Sequence, residues 1–483
     1  MNGFKINDRI KNLFITKHQI VNKNYPYLTV VIIGLLAISS CKPKLKVADN
    51  KVKPNIIVIL IDDAGYADFG FMGSKDLKTP EIDQLANSGV IFTDAHTSST
   101  VCSPSRAGLI TGRYQQRFGF ECNGTGDSLG LDETEITMAA ALKNKGYKTI
   151  GIGKWHLGDK EQYLPNNRGF DEFYGFLSGS RNYFPSPQQD NPKNISALRH
   201  NNKAINFEGY LTDVLGDAAV NYIEQYKKEP FFMYLSFNAV HTPLQAKQKD
   251  LDKFKGHPRQ MLAAMTWSLD ENVGKVMKKL GDENLLENTI VFFLSDNGGA
   301  NNNQSTVFPL KGWKGNEFEG GHRVPFAVSW KGHFPAGVKS DKLVSSLDIY
   351  ATALALADTK NPNNKPIDGK SLVPFTDINK LANTHETLFW RKDEAAAARI
   401  GDYKLIRLKN EESVLYNLKS DIGETKDLSK IEVKKHQELQ KALADWESKM
   451  VNPLWIEEPD WTKITYDIHK ALMNNQKPKK VQP

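Results

Sequence analysis

From Asn55 to Ile61 the chain runs through isoleucine, valine and leucine side chains and then stops on Asp62-Asp63. A run without polar alternation predicts a strand buried on both faces. The pattern recurs at Tyr147–Ile152, Pro230–Phe237 and Thr289–Leu294. Each of these ends in polar residues: Gly153-Lys154-Trp155-His156-Leu157-Gly158, Asn238-Ala239-Val240-His241-Thr242-Pro243 and Ser295-Asp296-Asn297-Gly298-Gly299. Amphipathic stretches separate the runs. One opens at Thr79-Pro80-Glu81, with a capping residue, a proline in the first turn and an acid behind it, and stops at Gly89. Others cover Glu133–Lys145 (closed by Gly146), Leu211–Lys227 and Met261–Leu280.

Strands alternating with helices predict an α/β fold, a large mostly parallel sheet sandwiched by helices. Ligands of open α/β sheets bind at the carboxyl ends of strands, so four strands ending in polar residues predict one shared site. After Asp368-Gly369 the pattern changes. Short strands are expected at Thr387–Trp390, Ala397–Ile400, Tyr403–Leu408 and Ser413–Asn417, followed by a helix over Ile431–Met450. This predicts a smaller C-terminal antiparallel α+β subdomain. The expected organisation is a targeting segment at 1–40, a polar linker at 41–53, a catalytic domain at 54–370, the subdomain at 371–465 and a loose polar tail at 466–483. There is no internal repeat and no low-complexity block.

Charge adds little to this picture. Of the net +7, a surplus of +4 lies in the first forty residues, where Lys5, Arg9, Lys11, Lys17 and Lys23 face Asp8; +3 remains for the rest. No interleaving of basic and aromatic residues argues for nucleic acid. The basic head is followed by an apolar run, Tyr27–Ser40, too short for a comfortable bilayer span of about 20 residues. It ends Ile38-Ser39-Ser40-Cys41, which resembles a bacterial lipobox. That resemblance implies cleavage before Cys41, lipid on Cys41, and a catalytic body exported to the periplasm on a lipid anchor, with the outer membrane favoured. An uncleaved N-terminal anchor is the alternative.

The chemistry centres on Thr100-Val101-Cys102-Ser103-Pro104-Ser105-Arg106, followed by Thr111-Gly112-Arg113. A cysteine just ahead of a proline and a helix-like run sits near a helix N-terminus, where exposed N–H groups favour an anion. Arg106 adds a fixed charge and a fork suited to sulfate oxygens. The pattern C-x-P-S-R with a downstream T-G-R resembles the signature of type I, formylglycine-dependent sulfatases of the alkaline-phosphatase superfamily. In that family the cysteine is oxidised to formylglycine (3-oxoalanine) by a formylglycine-generating or anaerobic sulfatase-maturating enzyme. The resemblance assigns that role to Cys102. With Cys41 lipidated and Cys102 oxidised, Cys122 stands alone and no disulfide is expected.

Asp62, Asp63, Asp296 and Asn297 are hard oxygen donors, which select calcium or magnesium over zinc. The resemblance implies that these four, with the modified Cys102, hold one Ca²⁺. It implies that Lys154, His156, His241 and Lys314 hold the sulfate and move protons beside Arg106. Fixed cations suit the negative charge that develops on the leaving oxygen and the equatorial oxygens. His241 suits the leaving-group acid, and His156 the base toward the hydrated aldehyde. In the implied mechanism a hydroxyl of that hydrate attacks sulfur, the alcohol leaves with a proton from His241 assisted by Lys314, and His156 aids release of sulfate.

Substrate choice is expected from side chains around the sulfate pocket. Arg181, Trp313, His322, Arg323 and Trp390 are the candidates, since aromatic and guanidinium groups suit sugar faces and anionic substituents. Gln115-Gln116-Arg117-Phe118-Gly119-Phe120 resembles sulfatases of polysaccharide-degrading bacteria. A sulfated carbohydrate is the implied substrate, with an algal glycan such as ulvan or carrageenan favoured. The rivals are a phosphonate or phosphodiester hydrolase of the same superfamily, a non-catalytic glycan-binding lipoprotein and a structural surface lipoprotein.

Overall fold

The computed structural model describes residues 53–124, 129–377 and 382–479. The expected targeting segment, the lipobox with Cys41 and nearly all of the linker lie outside the described residues.

The strand Asn55–Ile61 is the middle of a ten-stranded sheet. It pairs in parallel with Phe231–Ser236 on one side and Thr289–Ser295 on the other. Beyond Phe231–Ser236, Lys148–Lys154 and Glu172–Phe176 continue in parallel, and the short strands Arg199–His200 and Lys203–Ala204 close that edge in antiparallel fashion. Beyond Thr289–Ser295, Phe326–Ser329 runs antiparallel, followed by Val90–Phe92 and Val338–Ser340. The sheet is therefore mixed, with its parallel part in the centre.

Burial on both faces explains the unbroken apolar run. Ile57, Ile59 and Ile61 join one core, with the helices Leu211–Tyr226 and Gln260–Asp282; Ile56, Val58 and Leu60 join the other, with Cys102–Thr111, Met138–Lys143 and Asp348–Leu356. Successive strand residues point to opposite faces, so a strand between two helical layers has no position for a polar residue. In register, Ile61 lies beside Ser295, and Leu60 and Gly153 beside Ser236. The polar residues that follow these strands therefore emerge side by side.

The C-terminal sheet is an antiparallel meander of four strands, Thr387–Lys392, Ala395–Ile400, Tyr403–Leu408 and Val414–Asn417. Ala396, Ala398, Leu405 and Leu415 face the helix Val433–Glu447 through Leu439, Leu443 and Trp446. Ala397, Ile406 and Tyr416 face a second cluster with Phe318, Ile468 and Leu472.

Most expected elements lie within three residues of the observed ones, and two expectations differ by more. The helix expected over Glu133–Lys145 starts at Met138, because Thr137 caps it by accepting from the Ala140 N–H at 3.1 Å. The residues before it turn instead: Asp132 captures the Thr134 N–H, and Glu135 is drawn inward to Arg113 and Lys365. The expected loose tail from 466 begins inside a helix, Pro459–Met473, whose Ile464, Ile468 and Leu472 pack at four-residue spacing against the meander. Cys102 and Cys122 are both buried free thiols.

Ile59→Ala removes a fully buried side chain between two packed layers. It is expected to lower the unfolding free energy by about 2–5 kcal/mol. Ile431→Ala, at a position 69% exposed, should stay within about 0.5 kcal/mol. Denaturant titration of the two variants checks the contrast.

Candidate active site

Cys102 opens a ten-residue helix in which every residue is buried. Val101 ahead of it is extended, and Gly112 ends the helix in the left-handed region (φ 66°), its N–H returning to Gly108 O. Asn123 Oδ1 accepts from the Ser103 N–H in the first turn, and Ser103 Oγ donates to His156 O at 2.5 Å. The helix start is thus tied to two neighbouring loops.

The Cys102 Sγ lies 3.6 Å from Asp62 Oδ1 and 3.8 Å from Asp63 Oδ1. Lys154 Nζ meets Asp62 Oδ2 at 2.7 Å, and Lys314 Nζ meets Asp63 Oδ1 at 2.7 Å. Arg106 Nε donates to Asp296 Oδ2 at 2.9 Å, while its Nη1 reaches Ser236 Oγ and Lys154 O. Asn297 Nδ2 donates to Asp63 Oδ1 at 2.8 Å. His241 Nε2 is 3.5 Å from Asp63 Oδ2, and its Nδ1 is 2.6 Å from Thr242 O. A proton on Nδ1 satisfies that carbonyl and leaves Nε2 as the atom facing the site. The structure thus gathers Asp62, Asp63, Cys102, Arg106, Lys154, His241, Asp296, Asn297 and Lys314 into one contact network.

Charge and burial set the protonation states. Burial would raise the Asp62 carboxyl, but Lys154, His241 and Arg106 carry it below the usual carboxylate range. Burial and then Asp62 push Asp296 up to about 6, against Arg106. Burial works against the charge on Lys314, yet Asp63 beside it holds the ammonium well above its ordinary value. His156 is driven well below 6.5, first by burial and then by Lys154 and Arg106, so its imidazole is neutral. Its Nδ1 is buried without a hydrogen-bond partner among the described residues. Both Asp63 and His156 sit at positive φ, 63° and 57°. Such backbone is uncommon for side-chain-bearing residues and concentrates at functional sites.

The donor set fits a hard divalent cation. Asp62, Asp63 and Asp296 contribute carboxylates, and Asn297 Oδ1 is buried without a hydrogen-bond partner among the described residues. Asp62, Asp63, Cys102 and His241 each place a ligand atom within 4.8 Å of the others. The oxygens of Asp62, Asp63, Asp296 and Asn297 favour Ca²⁺ or Mg²⁺.

Supporting residues were not evident from sequence. Tyr183 Oη donates to the carbonyls of Asn238 and His241, fixing the loop that carries His241. Asn303 Nδ2 bridges Asp63 O and Val240 O. Gly179 lies against the His156 ring so closely that a Cβ there would be 2.6 Å from Nε2. In Ser180-Arg181-Asn182-Tyr183 the sequence singles out Arg181, whereas the structure sets Tyr183 against the His241 loop.

The expected selectors divide. Trp313 lines a cavity of about 370 Å³ that includes His241 and Lys314. Another, of about 320 Å³, includes Ser103 and His156. A larger cavity of about 920 Å³, near Asp270 and Trp267, contains none of the clustered residues. Arg181 is buried and paired with Asp190 at 2.6 Å. His322 is fully buried, 2.9 Å from His96 and stacked on Trp390 at 3.9 Å. Arg323 donates to Thr93 O and pairs with Glu319 and Asp94. Trp390 donates to Thr97 O. His322, Arg323 and Trp390 thus belong to a buried network with Lys404 and Arg399 that joins the C-terminal sheet to the main body. Gln115 and Gln116 are likewise buried, donating to Ser98 O and Arg391 O, and Arg117 pairs with Asp368.

Burial pushes the thiols of Cys102 and Cys122 up to about 12. A raised thiol pKa means almost no thiolate near neutrality. In chains that carry a thiol at 102, iodoacetamide at pH 8 should label neither position in the native fold and both in denaturant, as read by peptide mass.

A family model described as Sulfatase matches residues 54–359, and one described as N-sulphoglucosamine sulphohydrolase, C-terminal matches residues 313–452. The N-acetylgalactosamine-6-sulfatase of Homo sapiens is 33% identical over 376 residues, covering 73% of this chain and 71% of its own. The solved structure of Ps i-CgsB in complex with k-i-k-neocarrahexaose superposes with a TM-score of 0.80 at 38% identity, covering 89% of this chain and 100% of the other. PsFucS1 sulfatase from Pseudoalteromonas sp. gives 0.72 at 26% identity, covering 82% and 90%. With its whole α/β body matched and a third of the aligned positions shared with curated sulfatases, the chain belongs to the sulfatase family and is a sulfuric ester hydrolase.

Proposed function

We propose that the chain is an exported carbohydrate sulfatase that removes sulfate from a sulfated algal galactan, with formylglycine made from Cys102 and one Ca²⁺ held by Asp62, Asp63, Asp296 and Asn297. The observation that carries this reading is the position of Cys102 Sγ, 3.6 and 3.8 Å from the Asp62 and Asp63 carboxylates, among Lys154, Lys314, Arg106 and His241. The solved relative bound to neocarrahexaose supports a galactan over other glycans. A formylglycine-generating or anaerobic maturating enzyme is the required partner, and lipid on Cys41 would tether the body to a bacterial membrane.

When bound, the cation would polarise a sulfate oxygen, and the oxidised side chain at 102 would supply a hydrate nucleophile. The remaining work falls to the chain's own residues. Lys154 and Lys314 place ammonium groups over the Asp62 and Asp63 carboxylates, where equatorial sulfate oxygens gain positive partners. Arg106 locks Asp296 and cannot lose its charge. His241 in its imidazolium form, with Nδ1–H committed to Thr242 O, would pass the proton on Nε2 to the leaving oxygen and be left neutral. His156, neutral and with an unpartnered Nδ1, is suited to accept a proton.

The direct test is sulfate release from carrageenan oligosaccharides by protein made in a host with the maturation machinery. The peptide bearing residue 102 should then carry an aldehyde in place of its thiol. Cys102→Ala should release no sulfate while keeping the native melting transition. Full turnover by that variant would sink the proposal.

His241→Ala should separate leaving groups. A sugar alkoxide needs its proton and should lose about 10²–10⁴-fold in kcat, whereas nitrophenolate leaves unprotonated and should lose far less. Equal losses on sugar sulfate and nitrophenyl sulfate would remove His241 from the acid role.

A further inference from the structure

The helix Pro459–Met473 lies beyond both matched family spans, which end at 359 and 452. It nonetheless reaches the reaction centre. Trp461, Thr465 and Ile468, at positions i, i+4 and i+7 of one helix face, line the same cavity as His241 and Lys314. Trp313 lines it as well, and Asn301 and Asn302 supply side-chain amides. At about 370 Å³ the cavity lies within the range of roughly 300–1,000 Å³ usual for small-molecule sites.

The chemistry of this lining is specific. Two indoles offer apolar faces, and asparagine amides, Asn301 and Asn302 among them, and the Thr465 hydroxyl offer donors and acceptors, the combination that suits a hydroxylated ring with C–H faces. Trp461 remains 42% exposed, so its indole has surface to give. The cations of the wall have other work. Lys314 and His241 belong to the sulfate cluster around Asp63, and Lys392 is buried between Asp393 and Glu457, the latter at 3.5 Å. Beyond that cluster the wall presents no unpaired cation to a carboxylate among the described residues, and Glu457 would repel one.

We infer that Trp461, on the C-terminal helix, forms with Trp313 a subsite for a neutral sugar ring adjoining the sulfated residue, so that this helix makes the enzyme prefer neutral sulfated galactans over uronate-containing sulfated glycans. The inference rests on the carbohydrate-sulfatase reading and adds its selectivity. Trp461 acts through binding, and the sulfate chemistry remains with the residues around Cys102.

The test uses the mature full-length enzyme and three substrates: a sulfated carrageenan oligosaccharide, a sulfated uronate-containing oligosaccharide and nitrophenyl sulfate, which is too small to span the cavity. The readout is kcat/KM on the carrageenan oligosaccharide divided by kcat/KM on nitrophenyl sulfate. Trp461→Ala should lower this ratio about tenfold through KM, equivalent to about 1.4 kcal/mol of binding. Trp461→Phe should recover most of it, and Lys463→Ala, at an exposed position of the same helix, should leave it unchanged. A ratio unmoved in Trp461→Ala overturns the subsite. So does an equal fall on both substrates, which would mean only that the helix had shifted. Faster wild-type turnover of the uronate-containing oligosaccharide than of the neutral one overturns the neutral-ring selectivity. If the wild type releases sulfate from none of the three, the carbohydrate-sulfatase reading fails, and the subsite with it.

Discussion

Three carboxylates, Asp62, Asp63 and Asp296, share one buried pocket with three cations, Arg106, Lys154 and Lys314. Taking a single charge of this kind out of water costs several kcal/mol, and removing one partner of a buried pair costs about 3–5 kcal/mol. None of the six is tolerable alone; together they form a site in which charge is held in place by the fold rather than by solvent. Such preorganised charge is what transfer of a sulfuryl group requires, because the dipoles need not reorient as charge develops.

The fold supplies the partners from far apart in the sequence. Asp62 and Asp63 end the central strand, Asp296 and Asn297 end its parallel neighbour, and Lys154 ends another strand. Parallel pairing brings these ends level. Arg106 comes from the opposite direction, on a helix buried along its whole length. Its guanidinium bonds Asp296, Ser236 and the Lys154 carbonyl at once, so it fastens three strand ends to the helix that presents Cys102.

The C-terminal sheet has a second role besides covering apolar surface. Asp94 is gripped by Arg399 from that sheet and by Arg323 from the main body, and Lys404 bonds Glu319 and His322. A network of this kind fixes the subdomain in one orientation. The helix that follows can then carry Trp461 and Thr465 to the cavity above His241 and Lys314. The stretch expected to be a loose tail begins inside this helix and joins the wall through Ile468, because Ile464, Ile468 and Leu472 at four-residue spacing are anchored on the meander.

By itself the sequence determined the α/β body, the positions of its central strands and which polar residues follow their ends; the roles expected of those residues came from the resemblance of its motifs to a sulfatase signature. The reason is that strands buried on both faces must be continuously apolar, so the polar residues at their ends stand out. Tertiary structure alone decided which conspicuous residues face the site. Arg181, His322, Arg323 and Trp390 have the chemistry of sugar binders, but each is buried against partners that sequence does not reveal, Asp190, His96, Asp94 and Thr97 among them. Tyr183, Gly179 and Trp461 look ordinary in the sequence, and they matter because folding places a hydroxyl under the His241 loop, a bare backbone against His156 and an indole beside the sulfate pocket. Local pattern encodes burial and backbone form; which side chains meet across the chain depends on long-range packing that only the assembled sheet and helices fix.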